Sequence, residues 1–148
     1  MACMKASQLY ERDFFEWTQC NAALLRNRQF DQADIEHIAE EIEDMGSRDR
    51  RELESRLQVL VQHLLKWQFQ PERRSRSWRD TIQIQRLEIV ELLEEMPSLQ
   101  RALHAGLNKV YQRSIARVVI EASLPEATFP STAPFTLEQM LDREYFPE

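Results

Sequence analysis

Asp34 and His37 lie three positions apart, and Glu40 and Glu41 follow His37 by three and four positions. On a helix, residues at those spacings are neighbours on one side of the rod. A carboxylate and an imidazole one turn apart is ligand geometry that helical bundles use to hold divalent metals. Such sites draw further donors from facing helices, and the attractive ones elsewhere are His63 and Asp13. The metal expectation is therefore His63 with a carboxylate from Glu40, Glu41 or Asp34, and His37 beside them. The second Glu-x-x-His needed for a di-metal centre is absent. The alternative is an acidic solvated helix face with a histidine bonded to a neighbour. No cofactor other than a divalent metal is expected.

A second group is basic. Lys66, Arg73, Arg74, Arg76, Arg79 and Arg86 share a stretch with only two acids, Glu72 and Asp80. Arg73, Arg74, Arg76 and Arg79 crowd the predicted start of a helix, where the backbone already carries partial positive charge. An anion such as phosphate would suit that place. So would an internal acidic partner, because Asp31 to Met45 holds seven acids and no Lys or Arg. Trp67, Phe69 and Trp78 interleave with the basic stretch, as in nucleic-acid stacking platforms. Trp67 and Trp78 also fall on helical apolar stripes, so core packing is the better reading, and nucleic acid is not an expected partner. No Ser/His/Asp or Cys/His grouping follows from spacing, because such groupings assemble in space.

The elements that would position these residues are helices. Tyr10, Phe14, Trp17, Leu24 and Leu25 recur at helical spacing, with Asn21 interrupting, and predict a first helix from about Ser7 to Arg28. Asp31 looks like the N-cap of a second helix, with Phe30 and Ile35 as a hydrophobic staple. Its stripe is Ile35, Ile38, Ile42 and Met45, resuming at Leu53, Leu57, Leu60, Leu64 and Trp67. Gly46 and the polar run after it predict a kink or split there; one continuous helix with a solvated middle is the alternative. Pro71 ends this segment. Ser77 is the expected cap of a third helix, with Asp80 completing its box. Ile84, Leu87 and Val90 widen that helix's stripe, so it should be flanked on two sides. Pro97 separates a fourth helix, about Ser98 to Ser123. Pro125, Pro130 and Pro134 mark an extended arm over residues 124–135. Thr136 and Gln139 then make a capping box for a short terminal helix, stapled by Phe135 and Met140. The expectation is an all-α single domain over residues 1–148: a bundle of four main helices, a loose tail over 1–6, the arm and a short last helix.

Composition narrows the class. The chain has 148 residues, net charge −6, 43% hydrophobic and 30% charged residues, which is globular. Gly46 and Gly106 are the only glycines, too few for the turns of a β-rich fold or for a phosphate-binding loop. The acidity argues against general binding to nucleic acid or membrane surfaces. Cys3 and Cys20 read as reduced thiols, and the absence of an apolar leader or span points to the cytoplasm.

The residues Tyr10-x-x-Asp13-Phe14-x-x-Trp17, Glu40-Glu41-Ile42-Glu43 with Gly46, His63-Leu64-Leu65-Lys66-Trp67-Gln68-x-Gln70-Pro71, Ser77-Trp78, Gln85-Arg86 and Pro97-Ser98-Leu99 resemble a bacterial family catalogued as domain of unknown function twenty-nine. The resemblance spans nearly the whole chain. It implies a small helical protein and supplies no activity, cofactor or catalytic residue. The functional expectation is a helical interaction or scaffold protein, through a protein partner or self-association, without a catalytic signature. The rival is a metal-binding protein or metal-dependent enzyme using His63.

Overall fold

The structure, a computed structural model, describes residues 5–148. Its elements are α1 (Ala6–Arg12), α2 (Phe14–Arg26), α3 (Ile35–Phe69), α4 (Arg76–Glu95), α5 (Leu99–Ala122) and α6 (Leu137–Leu141), with single 3-10 turns at Pro71–Arg73 and Glu126–Thr128. Among the described residues there is no strand. Among the described residues no helix is long and apolar enough to cross a membrane. The chain is all-α, as its periodicity predicts, and it forms two compact units, Met1–Arg48 and Asp49–Glu148, with α3 contributing to both.

Unit 1 departs from the expected first helix at its start. Two helices replace one, because Asp13 leaves helical geometry (φ −151°, ψ 87°) and its carboxylate accepts from the Glu16 amide at 3.1 Å. An aspartate that caps a new helix here competes with continuation of the old one. Of the tail expected over residues 1–6, residues 1–4 lie outside the description, while Ala6 already opens α1 and is buried. α2 buries Trp17, Cys20, Asn21 and Leu24. Cys20 is disulfide-bonded, which corrects the expectation of a reduced thiol there; Cys3 lies outside the described residues.

α3 starts later than its expected cap. Asp31 belongs to the turn before it, and Asp34 takes the capping position, its carbonyl accepting the first helical bond from Ile38 at 3.0 Å. Phe30 and Ile35, the expected staple, are both exposed. The helix then runs unbroken through Gly46. Gly46 has no positive φ, and an added Cβ would meet nothing within 4 Å. One glycine costs a helix only about 1 kcal/mol, which the hydrogen bonds on either side outweigh.

Unit 2 packs the second half of α3, α4 and α5 around Leu53, Leu57, Leu60, Leu64, Ile82, Ile89, Leu103, Val110 and Tyr111. α4 is capped by Ser75, whose hydroxyl accepts from the Trp78 amide at 3.2 Å, two residues before the expected Ser77. The difference is one of register: Ser75 is the residue in extended geometry. Ile84, Leu87 and Val90 face solvent, so α4 is covered on one side rather than two. The arm over 124–135 lies against unit 2, with Phe129 and Phe135 buried in its core. Tyr111 fixes it by donating its hydroxyl to the Pro130 carbonyl at 2.6 Å. The Thr136–Gln139 capping box of α6 is complete, and Phe135 and Met140 are both buried beside it.

Gly46→Ala is expected to stabilise the protein by roughly 0.5–1 kcal/mol, a midpoint rise of a few degrees. Thermal unfolding followed by circular dichroism checks it. A fall in midpoint would mean that the helix needs glycine there.

Candidate functional site

The polar side chains of unit 1 converge on one carboxylate. Asn21, on α2, donates its side-chain amide to the Trp17 carbonyl at 2.9 Å and accepts from the Asp34 backbone N–H at 2.9 Å. That bond places Asp34 at the head of α3. The Asp34 Oδ2 then accepts from Trp17 Nε1 at 3.0 Å and pairs with His37 Nδ1 at 2.6 Å. The His37 ring stacks on Tyr10 at 3.9 Å between centroids, tilted by 11°. Tyr10 donates its hydroxyl to Glu41 Oε1 at 2.5 Å. One network therefore joins α1, α2 and the first two turns of α3.

Its electrostatics follow from these contacts. Burial works to raise the Asp34 carboxyl, but hydrogen bonds from Trp17 and His37, with the histidine's charge, outweigh it and hold Asp34 below its ordinary value. The same bond from Asp34 raises His37. The Glu41 hydrogen bond, followed by burial and nearby acids, pushes Tyr10 up to about 12. An aspartate that fixes one imidazole nitrogen leaves the other free to act as a base.

The five expected metal donors are placed as follows. Asp34, His37 and Glu41 are committed to the network just described. Glu40 is exposed on α3. His63 belongs to unit 2, where it is half-buried, with Nδ1 bonded to the Val59 carbonyl at 2.8 Å and its pKa lowered by burial. Among the described residues no group of three His, Cys, Asp or Glu is placed to hold a metal ion.

The expected anion-binding arginines have divergent roles. Arg74 donates to the Trp67 carbonyl at 2.7 Å and to the Pro147 carbonyl at 3.3 Å, and lies over the Trp67 ring at 5.1 Å. Arg79 lies over Phe146 at 5.2 Å. Arg76 and Arg73 are exposed, and Arg76 pairs with Asp80 at 3.8 Å. The role that the sequence does not reveal is that of Arg86, counted there only with the basic stretch and a family motif. Arg86 has no exposed surface, and its guanidinium donates to the carbonyls of Met140 (2.6 Å), Tyr145 (2.7 Å) and Gln139 (3.3 Å) while packing on Phe146 at 5.3 Å. Burial lowers its pKa, opposed by Asp142 and Tyr145. These three guanidinium-to-carbonyl bonds tie α6 and Tyr145 to α4. The available signal was Arg86 amid apolar residues of α4, facing a chain end of Tyr145-Phe146-Pro147.

The sequence model of the DUF29 family, a domain of unknown function, matches residues 9–146. The chain belongs to the DUF29 family. Neither a curated protein nor a solved structure matches it. The family match runs from the start of the Tyr10 network to Phe146, so both the unit 1 network and the Arg86 anchor of this DUF29 chain lie inside it.

Two outcomes are expected. Arg86→Met should destabilise unit 2 by about 2–4 kcal/mol, because buried carbonyls left without a donor cost about 1 kcal/mol or more each. Hydrogen exchange should show residues 137–146 losing protection first; protection lost evenly would remove the anchoring role. The Asp34–His37 pair predicts a pH window. A raised His37 contributes stability that is present below its ordinary value of 6.5 and is lost as pH rises through its higher folded value. A lowered Asp34 contributes stability that is present above its ordinary 3.8 and is lost as pH falls through its lower folded value. Unit 1 should therefore be most stable between about pH 4 and 6.5. His37→Gln should flatten the alkaline side of the curve when thermal midpoints are compared across pH.

Proposed function

We propose that this DUF29 chain is an interaction protein that binds a protein partner through the α3 face of unit 1. The observation that carries this reading is the stripe Ile35, Ile42 and Met45. Its spacing is that of a buried seam, yet each of the three is more than half exposed. Phe15 and Phe30 of the same unit are also more than half exposed. Phe14, nearly as open, stacks on Trp17 at 5.4 Å. Single exposed apolar residues are ordinary, but a group of this size in so small a unit marks an interaction surface. The polar network beneath gives that surface a fixed shape, which a binding face needs more than an active site does. The His37–Asp34 pair fits a supporting role in this reading, since His37 stacks on Tyr10 and Asp34 accepts from Trp17.

The reading is tested by affinity capture from the cells that express the chain, with wild type and an Ile42→Asp/Met45→Asp variant side by side. Both substitutions fall on exposed positions, so the variant should keep its helicity and midpoint. A defined partner held by wild type and lost from the variant is the expected result. The same proteins captured by both, or none by either, would remove this face as the working surface.

A further inference from the structure

The partner's chemistry can be narrowed on the basis of that interaction reading. Ile35 and Ile42 are seven residues apart on α3, as are Ile38 and Met45, so at 100° per residue they form one strip. The strip spans ten residue steps, or about 15 Å. Glu36 and Glu43 each follow a strip residue by one position and make the adjoining row, with Glu40 beyond them. All three glutamates are exposed, and none enters a described ion pair. The stretch from Asp31 to Met45 contains no Lys or Arg, and Lys5 alone among the basic residues lines the hollow beside Ile35 and Glu36.

This charge selects among occupants. A second copy presenting the same face would set carboxylates against carboxylates. An anionic lipid surface meets the same repulsion. A neutral apolar segment would cover Ile42 and Met45 but leave the glutamates without partners. A segment with Lys or Arg beside an apolar stripe satisfies both rows together, and like charges across an interface are a strong filter against wrong partners. A straight strip of three turns is matched in length and curvature by another helix, whose ridges fit the grooves of α3. We infer that the unit 1 face of α3 docks a basic amphipathic helix of a partner protein. Ile35, Ile42 and Met45 meet its apolar stripe, and Glu36 and Glu43 meet its Lys or Arg side chains.

The test uses labelled helical peptides of about 18 residues, roughly five turns, titrated with the full chain and read by fluorescence anisotropy. Three share one leucine stripe flanked by Lys, Gln or Glu. A fourth keeps the Lys content with the stripe scrambled. The Lys peptide should bind at least about tenfold more tightly than the Gln peptide, with an affinity that falls as salt rises, and the Glu peptide should not bind. Ile42→Asp/Met45→Asp should lose the Lys peptide, and Glu36→Gln/Glu43→Gln should erase the preference for Lys over Gln. Equal binding of the Lys and Gln peptides, abolished by Ile42→Asp, would overturn the basic partner while leaving the interaction face standing. Binding of the scrambled peptide, or binding that ignores Ile42→Asp, is bulk charge attraction and overturns the inference. If no peptide binds but the chain self-associates through Ile42 in sedimentation, the occupant is a second copy and the inference fails. If no peptide binds and the chain is monomeric, the inference and the interaction reading fail together.

Discussion

A guanidinium with no exposed surface has to be given acceptors, and in unit 2 they come from the chain's last dozen residues. Arg86 projects from the middle of α4 and takes the carbonyls of Gln139, Met140 and Tyr145. Those of Gln139 and Met140 lie at the C-terminal end of α6, where helical carbonyls carry partial negative charge; the Gln139 carbonyl also accepts from the Asp142 amide at 3.3 Å. The arginine supplies donors to α6, and α6 supplies acceptors to the arginine. Neither would be stable in that place alone, since removing water from an unpaired charge is far more costly than losing one hydrogen bond. Phe146 completes the arrangement, set between Arg79, Arg86 and Trp67. The extended arm follows from it: once α6 is anchored on α4, residues 124–135 must cross from the end of α5, burying Phe129 and Phe135 on the way.

Unit 1 applies the same principle on a smaller scale. It has few buried apolar residues, among them Trp17 and Leu24, so its shape relies on directed bonds. Asp34 collects an indole N–H and an imidazole, and Asn21 orients it through the backbone. A carboxylate with several donors is worth more than one at the surface, because charge-assisted bonds strengthen as water is excluded. Three of the side chains most suggestive of chemistry in the sequence, Asp34, His37 and Glu41, are joined in this network. What remains open on α3 is apolar and acidic: Ile35, Ile42 and Met45, with Glu36, Glu40 and Glu43.

The all-α class, the proline-bounded ends of α3 and α4, and the terminal capping box could be read from the sequence, because each depends on residues within one turn of one another. The later half of the α3 stripe, Leu53 to Leu64, is buried as its spacing predicts. The earlier half, with the same spacing, is exposed at Ile35, Ile42 and Met45. Periodicity reports that a helix has an apolar side; it does not report whether another element arrives to cover it. The split at Asp13 and the continuity at Gly46 were misjudged for a related reason. Both turn on differences of about 1 kcal/mol between a local cap or glycine cost and the hydrogen bonds on either side.

The sequence by itself determined that this chain makes helices, roughly where they stop, and which family it belongs to. These properties rest on local spacing, capping and proline geometry, which act over a few residues. Tertiary structure alone decided what each polar residue does. His37 pairs with Asp34 and stacks on Tyr10, Arg86 is buried rather than one more basic surface residue, and Ile42 is open to solvent. Apart from the local Asp34–His37 pair, partners distant in sequence set such roles, 31 residues away for Tyr10 with Glu41 and 59 for Arg86 with Tyr145. Contacts at that separation leave no local pattern, because they exist only once packing has brought distant segments within a few ångströms.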